Sequence, residues 1–103
     1  MNRIEGIKIA RAFRRALLAQ GYAVQRVVLF GSVARNQATD DSDLDLAVVC
    51  KPFAETRHEE NMVLRRLCRE IDLRIEPICL HPDDFQNPYF ALPYEVDREG
   101  IDA

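Results

Sequence analysis

Two short motifs, each joined to a strand-like apolar run, constrain the fold of this chain most strongly. Gly31-Ser32 ends one apolar run, and after a gap of ten residues Asp43 and Asp45 flank Leu44 at the start of another. The alternation of apolar and acidic residues in the second run predicts a strand. Residues two apart in a strand point to the same face, so the two carboxylates are predicted to project side by side.

The paired carboxylates indicate a cation site. Held close together, they repel each other unless a cation lies between them, and hard divalent ions such as Mg²⁺ prefer carboxylate oxygens together with substrate phosphates. Taken alone, Gly-Ser is more simply a turn that ends a strand, and the acidic stretch is more simply a solvated turn. A calcium loop starting at Asp41 is excluded, because such a loop needs glycine and glutamate where this chain has Leu46 and Pro52.

The Gly31-Ser32 turn is a candidate phosphate site. Val33-Ala34-Arg35 can continue it as one helical turn, so that backbone N–H groups and the serine hydroxyl face the same place. Arg35 adds a cation about one turn further on. Because the turn and the carboxylates follow each other on successive strands, the two motifs together are far more specific than either alone.

These residues carry a resemblance to a known family. The stretches Gly31–Arg35 and Asp41–Leu46 resemble the signature of the DNA polymerase beta-like nucleotidyltransferase superfamily. The chain is most similar to stand-alone minimal nucleotidyltransferases, many of which are the antitoxin half of HEPN/MNT toxin–antitoxin pairs. The resemblance runs from about Val27 to about Phe85. Asn36 stands where these proteins usually carry glycine, a change expected to alter the turn without removing the site.

The resemblance implies a third carboxylate on the next strand, where the chain offers two candidates. Glu76 fits the register of relatives better, since β-forming residues and then a Pro-Asp-Asp-Phe segment follow it. Asp72 stays as the alternative, either starting the strand or pairing with an arginine. Glutamate is longer than the usual aspartate, which predicts a shifted metal geometry or weaker activity.

The predicted reaction is transfer of AMP from ATP to an acceptor hydroxyl, using two Mg²⁺ ions or, alternatively, Mn²⁺. The predicted catalytic and metal-binding residues are Asp43, Asp45 and Glu76. The predicted nucleotide-binding residues are Gly31, Ser32 and, more weakly, Arg35.

The acceptor is predicted from the resemblance alone. It implies a separate HEPN-domain toxin protein that is adenylylated on tyrosine hydroxyls and thereby inhibited. Two alternatives remain: a binding-only antitoxin with a vestigial site, and an enzyme acting on a small molecule such as an aminoglycoside. A homodimer is also open, because the apolar residues Phe90, Leu92 and Tyr94 can serve such a contact or pack on the domain's own core.

Composition predicts one small cytoplasmic domain, residues 1–103, with a motif core over 27–85 and a tail over 86–103. The chain has 103 residues, of which 48% are hydrophobic, and no apolar run long enough for a membrane span. The net charge of −3 argues against broad nucleic-acid binding. The three cysteines are interpreted as reduced core thiols, and His58 and His81 as surface residues.

The apolar pattern predicts an α/β (α+β) fold. A helix is expected between Met1 and Gly21 and another from about Glu55 to Arg69. The arginines of the second helix are interpreted as a solvated face, with a partner- or nucleic-acid-binding patch as the alternative. The predicted order is α-β-α-β-α-β around a small mixed sheet, the fold that the resemblance also implies. One or two helical turns are expected from Tyr94 to Glu99.

Overall fold

The computed structural model describes residues 1–103 and contains four α-helices, four strands and one 3₁₀ helix. In chain order they are α1 (Arg3–Ala19), β1 (Val24–Phe30), α2 (Gly31–Ala34), β2 (Leu44–Cys50), α3 (Arg57–Cys68), β3 (Ile75–Leu80), the 3₁₀ helix (Pro82–Gln86), α4 (Leu92–Glu99) and β4 (Ile101–Asp102). The predicted mixed α/β fold is confirmed, as is the order of its first six elements. No helix has both the length and the apolar character needed to cross a membrane.

The four strands form one mixed sheet in the order β3-β2-β1-β4. β1 pairs antiparallel with β2 and with β4, and β2 pairs parallel with β3. The parallel pair requires a crossover connection, which α3 supplies. Because β2 and β3 run in the same direction, their first residues lie at one end of the sheet and their last residues at the other.

The first helix begins and ends as its sequence predicts. The Asn2 side chain accepts a hydrogen bond from the Glu5 N–H at 2.8 Å, which caps the N-terminus. Gly21, which follows the helix, has φ +90°, the left-handed conformation that commonly stops a helix. Phe13 and Leu17 are fully buried against the sheet.

Most of the core lies between the sheet and the layer formed by α1 and α3. From β2, the side chains of Leu44, Leu46 and Val48 point into this layer. Ala47 and Val49 point to the opposite face, where α4 and the 3₁₀ helix cover a smaller cluster. β2 is therefore buried on both faces beyond its second residue, and Asp45 at that position is only partly buried.

The C-terminal segment packs on its own domain. Phe90 and Leu92 are partly buried against the smaller core cluster, while Tyr94 is exposed. The predicted helical turns are confirmed as α4, which starts two residues earlier than expected because Pro93 is well accommodated in a first helical turn. The two residues of β4 were not predicted; they add an edge to the sheet beside β1.

Candidate functional site

The turn at Gly31 brings the end of β1 against the carboxylate of Asp45. Gly31 has φ +75°, and a Cβ atom at this position would collide with the Asp45 side chain. Only glycine satisfies both the left-handed backbone and the close approach. The Gly31-Ser32 turn and the Asp45 carboxylate, predicted to share one site, are thus direct neighbours.

The short helix α2 leaves this turn, and Asn36 closes it. The Gln37 N–H donates to the Ser32 carbonyl at 2.8 Å, and Asn36 has φ +59°, the one non-glycine residue of the chain with a positive φ. Asparagine tolerates the left-handed region better than most residues. Asn36 therefore adopts the left-handed conformation that glycine favours, and the alteration of the turn expected from this replacement stays a prediction.

The three predicted metal-binding carboxylates come from the starts of two neighbouring strands. Asp45 is in register with Glu76 across the β2–β3 pair and with Phe30 across the β1–β2 pair. Asp43 lies just before β2 and is exposed. The site is therefore an acidic edge, defined here as Asp43, Asp45 and Glu76, at the end of the sheet where β2 and β3 begin.

The acidic edge concentrates negative charge on Asp45. Burial raises the pKa of the Asp45 carboxyl, the nearby Asp43 and Glu76 carboxylates raise it further, and Arg35 lowers it only in part. No hydrogen bond or ion pair to Asp43 or Asp45 is present among the side chains of the chain. This excess of unneutralised carboxylate is the electrostatic condition that favours binding of a divalent cation.

Glu76 faces a cation of the protein itself. Its carboxylate accepts a hydrogen bond from Arg65 of α3 at 2.8 Å, and both side chains are about half exposed. The alternative third carboxylate, Asp72, lies before β3 and accepts hydrogen bonds from the Arg74 side chain and N–H. The Arg74 hydrogen bonds lower the pKa of the Asp72 carboxyl. Pairing with an arginine was one of the two roles predicted for Asp72.

Arg35 is held at the edge of the site. Its guanidinium donates to Glu99 of α4 at 3.1 Å and to Gln37 at 3.2 Å. The side chain is 40% exposed, so it retains freedom to move toward a bound anion. Its effect on the pKa of Asp45 shows that its charge already acts on the acidic edge.

A cleft of about 660 Å³ opens beside Asp45 and Glu76. Its other wall is α3, which contributes residues at helical spacing, so they share one face of the helix. The lining residues from α3 are His58, Asn61, Met62 and Arg65. The volume is within the range of small-molecule sites. This wall was not predicted from the sequence. The helical spacing of its residues predicts that they share a face, but the position of that face depends on where α3 packs beside β3.

A second cluster of titratable side chains, here called the Glu60–His81 network, lies at the opposite end of β3. Glu60 is 1% exposed and accepts hydrogen bonds from the Phe53 N–H and from His81 Nε2, each at 2.8 Å. The Arg57 guanidinium contacts His81 Nδ1 at 2.9 Å and pairs with Asp84. The expectation that His81 is a surface residue without partners is wrong, because α3 and the 3₁₀ helix enclose its ring; His58 is exposed as predicted.

Glu60, Cys79 and His81 are close enough to form a possible metal-binding group. Arg57 opposes that use. Arginine only donates hydrogen bonds, so its contact makes Nδ1 the acceptor and leaves the proton on Nε2, the atom that faces Glu60. A cation between Nε2 and the carboxylate would have to displace this proton beside a guanidinium charge. The group is better explained as a hydrogen-bond network in which both Glu60 oxygens and both His81 ring nitrogens have partners.

The cysteines are buried and unbridged. Cys50, Cys68 and Cys79 are all free, and the sulfur atoms of Cys50 and Cys79 lie 3.8 Å apart in the core. The interpretation as core thiols is confirmed.

Comparison with known proteins gives the family. A family model described as "Nucleotidyltransferase domain" matches residues 8–98. A protein named "Putative protein adenylyltransferase MJ1305", from Methanocaldococcus jannaschii, is 39% identical over 62 residues, which are 56% of this chain and 42% of that protein. The chain thus spans less than half of the length of this relative.

Two solved structures share the fold. The first, described as a "putative nucleotidyltransferase from Sulfolobus solfataricus", has a TM-score of 0.65 at 24% identity over 97% of this chain and 80% of its own. The second, a "putative minimal nucleotidyltransferase", has a TM-score of 0.59 at 27% identity over 98% of this chain and 95% of its own. Members of the family usually use divalent metal ions. The chain belongs to the nucleotidyltransferase domain family, a family of transferases that act on nucleotide substrates.

Proposed function

We propose that this protein is a metal-dependent nucleotidyltransferase that transfers AMP from ATP to a hydroxyl group of another protein. The observation that carries the proposal is the contact of the Gly31 turn with Asp45, which is itself in register with Glu76. A candidate phosphate turn and a carboxylate cluster thereby share one edge of the sheet. The name of the archaeal relative supports a protein acceptor and an adenylyl group.

The residues of the acidic edge fit a hard divalent cation. The donor set of Asp43, Asp45 and Glu76 offers oxygen atoms alone, the chemistry that Mg²⁺ and Mn²⁺ prefer. Burial and then the neighbouring Asp43 and Glu76 carboxylates raise the pKa of Asp45, and a bound cation would offset both effects. Bound there, the ions would neutralise charge on the triphosphate and activate the acceptor hydroxyl.

The protein side chains have separate tasks in this proposal. Asp43 and Asp45 would hold the ions that neutralise the triphosphate, and Glu76 would hold the ion nearer the acceptor hydroxyl and so favour loss of its proton. Ser32 and the backbone N–H groups of its turn bind the outer phosphates. Arg35 adds a cation for the same phosphates when it leaves Glu99. The AMP group forms a bond to the acceptor oxygen as the bond to pyrophosphate breaks.

The partner and the biological setting are parts of the same proposal. The acceptor is a HEPN-domain toxin, which this chain inhibits by adenylylation as its antitoxin, in the cytoplasm where ATP is available. The chain acts as a single domain with its motif core over 27–85 and its tail over 86–103, alone or as a homodimer. The name of the archaeal relative supports a protein acceptor and says nothing of a toxin.

One observation favours a second candidate, the binding-only antitoxin. Glu76 already pairs with Arg65, so one of the three proposed metal ligands has a partner within the protein. In that candidate, the acidic edge is vestigial and the toxin is inhibited by complex formation alone.

Incubation of the purified protein with α-labelled ATP, Mg²⁺ and the product of a neighbouring HEPN gene tests the proposal. We expect label on that protein, and no label with the double variant Asp43→Asn, Asp45→Asn. Asp41→Asn is the matched control, since Asp41 is an exposed carboxylate of the same segment. Label on an aminoglycoside instead would move the acceptor to small molecules. Absence of label together with a stable complex would favour the binding-only antitoxin.

A further inference from the structure

The ion pair between Arg65 and Glu76 connects α3 to the acidic edge. The guanidinium lies 2.8 Å from one carboxylate oxygen of Glu76, and both side chains line the cleft. The Glu76 side chain makes no other hydrogen bond or ion pair. Among the carboxylates of the acidic edge, it alone has a cationic partner in direct contact.

The position of Arg65 is fixed by how α3 is attached to β3. β3 is an edge strand of the sheet, and the Asn61 side chain accepts a hydrogen bond from the Cys79 N–H at 2.8 Å. This bond replaces a missing strand partner and ties the middle of α3 to the sheet. Arg65 lies four residues after Asn61, on the same helix face, and so reaches the start of β3 where Glu76 lies.

The neighbouring arginines provide an internal comparison. Arg66 on α3 and Arg69, which caps its C-terminus, are also exposed and form no ion pair. They share the charge of Arg65 and its place near the C-terminal end of the helix, where cations are favoured. They differ from it in one respect that concerns the site: Arg65 alone contacts a proposed metal ligand.

We propose that Arg65 is a positioning residue that holds Glu76 in the metal-free protein and competes with a divalent cation for it. The inference rests on the proposed metal site. A cation that binds Glu76 must share the carboxylate with the guanidinium or displace it. In either case, Arg65 lowers the affinity of the acidic edge for metal. Half-exposed ion pairs are weak, so the competition changes affinity by roughly two- to fivefold.

Binding of Mn²⁺ to the protein without ATP tests the inference. Free Mn²⁺ is measured by electron paramagnetic resonance during a titration, for the wild type, Arg65→Gln and Arg66→Gln. Both variants lose one positive charge from the same helix, so the long-range effect of charge is matched. We expect R65Q to bind Mn²⁺ roughly threefold more tightly than R66Q. Equal affinities for the two variants would overturn the inference.

The double variant Arg65→Gln, Glu76→Gln shows whether the effect passes through Glu76. With Glu76 replaced, we expect no gain in Mn²⁺ affinity from R65Q beyond that of R66Q in the same background. A gain that persists would mean that Arg65 acts through another group, which overturns the inference. Arg65→Lys keeps the charge, and we expect it to restore most of the wild-type affinity, since lysine pairs as a point charge.

The outcomes separate this inference from the proposed function. Mn²⁺ binding that is insensitive to R65Q would overturn the role of Arg65 and leave the metal site standing. Failure of the wild type and of R65Q alike to bind Mn²⁺ would remove the metal site and the role of Arg65 with it. Binding by R65Q in the absence of binding by the wild type would support the competition in its strongest form.

Discussion

The two ends of the β2–β3 pair carry clusters of similar side chains in opposite electrostatic states. At the end where β2 and β3 begin, burial and neighbouring carboxylates raise the pKa of Asp45, which has no hydrogen-bond partner. At the other end, Glu60 is more deeply buried, yet each of its oxygens accepts a hydrogen bond. Burial alone therefore does not separate a functional carboxylate from a structural one.

The difference lies in what each cluster needs to be complete. The Glu60–His81 network contains its own cation, Arg57, and its hydrogen bonds join α3 to the 3₁₀ helix. On the acidic edge, Arg65 pairs with Glu76 alone, so Asp43 and Asp45 have no cation in direct contact, and Gly31 leaves no space for a side chain beside Asp45. Within the first cluster, the buried carboxylate has its partners in the fold, whereas in the second Asp45 has none, as a site proposed to bind a cation requires.

The largest expected effect separates activity from stability at Asp45. Asp45→Asn should lower AMP transfer more than about a hundredfold. The loss should exceed the cost of removing a residue that only hydrogen-bonds to a metal ligand, because Asp45 is itself a proposed ligand. The free energy of unfolding without metal should stay the same or rise, because the substitution removes unneutralised charge. Label transfer and urea unfolding measure the two quantities. Unchanged transfer would remove Asp45 from the site.

The opposite result is expected in the Glu60–His81 network. Glu60→Ala removes a buried acceptor and leaves the Phe53 N–H and His81 Nε2 without their partner, so it should lower the free energy of unfolding by about 3 kcal/mol. Transfer by the protein that remains folded should be unchanged. Glu59→Ala is the matched control, since this neighbouring side chain is exposed and should change stability by less than about 0.5 kcal/mol.

A third prediction compares two glycines with similar backbones. Gly31 and Gly21 both have positive φ, but a Cβ at Gly21 would meet nothing within 4 Å, whereas one at Gly31 would collide with Asp45. Gly21→Ala should cost about 1 kcal/mol of backbone strain. Gly31→Ala should cost more than this and should also lower transfer, because Asp45 must move. Equal losses of stability in urea unfolding would show that the contact with Asp45 is not tight.

The smallest effect is the pH dependence of stability, which has opposite signs at the two ends. Burial raises the pKa of Asp84, but the His81 N–H and Arg57 outweigh it and hold the pKa below its ordinary value of 3.8. Asp84 thus stabilises the fold above pH 3.8, and this contribution is lost as the pH falls through its folded-state pKa. Because the pKa of Asp45 is raised, its contribution to the free energy of unfolding is largest below pH 3.8. That contribution is lost as the pH rises through the folded-state pKa of Asp45.

Urea unfolding in a metal chelator, from about pH 3 to about pH 7, measures this difference. Asp84→Asn should destabilise the protein more at the upper end of the range than at the lower end. Asp45→Asn should raise the free energy of unfolding, relative to the wild type, most at the upper end of the range. The same sign for both variants would contradict the contrast between the two clusters.

Local patterns were enough to predict several parts of the molecule. Gly21 ends the first helix, as predicted, through a backbone freedom that needs no distant partner. The alternation around Asp43 and Asp45 predicted the strand and its exposed acidic start for the same reason. These features depend on residues a few positions apart, so the sequence contains the information directly.

Other parts were missed because their partners are distant in sequence. β4 is only two residues long and exists because it pairs with Val28 and Leu29 of β1. The ring of His81 is enclosed because α3 returns across the sheet and brings Glu60 to it. No local spacing contains either contact.

The sequence by itself determined which chemical groups this protein brings to the site: which turn needs glycine, which strand starts with carboxylates, and that carboxylate oxygens predominate there. The tertiary structure alone decided which charges are neutralised. It placed Arg65 on Glu76 and Arg57 beside Glu60, and it left Asp45 without a partner. The physical reason is that residue type sets the charge of a group, whereas its balance depends on distances between elements that only packing brings together.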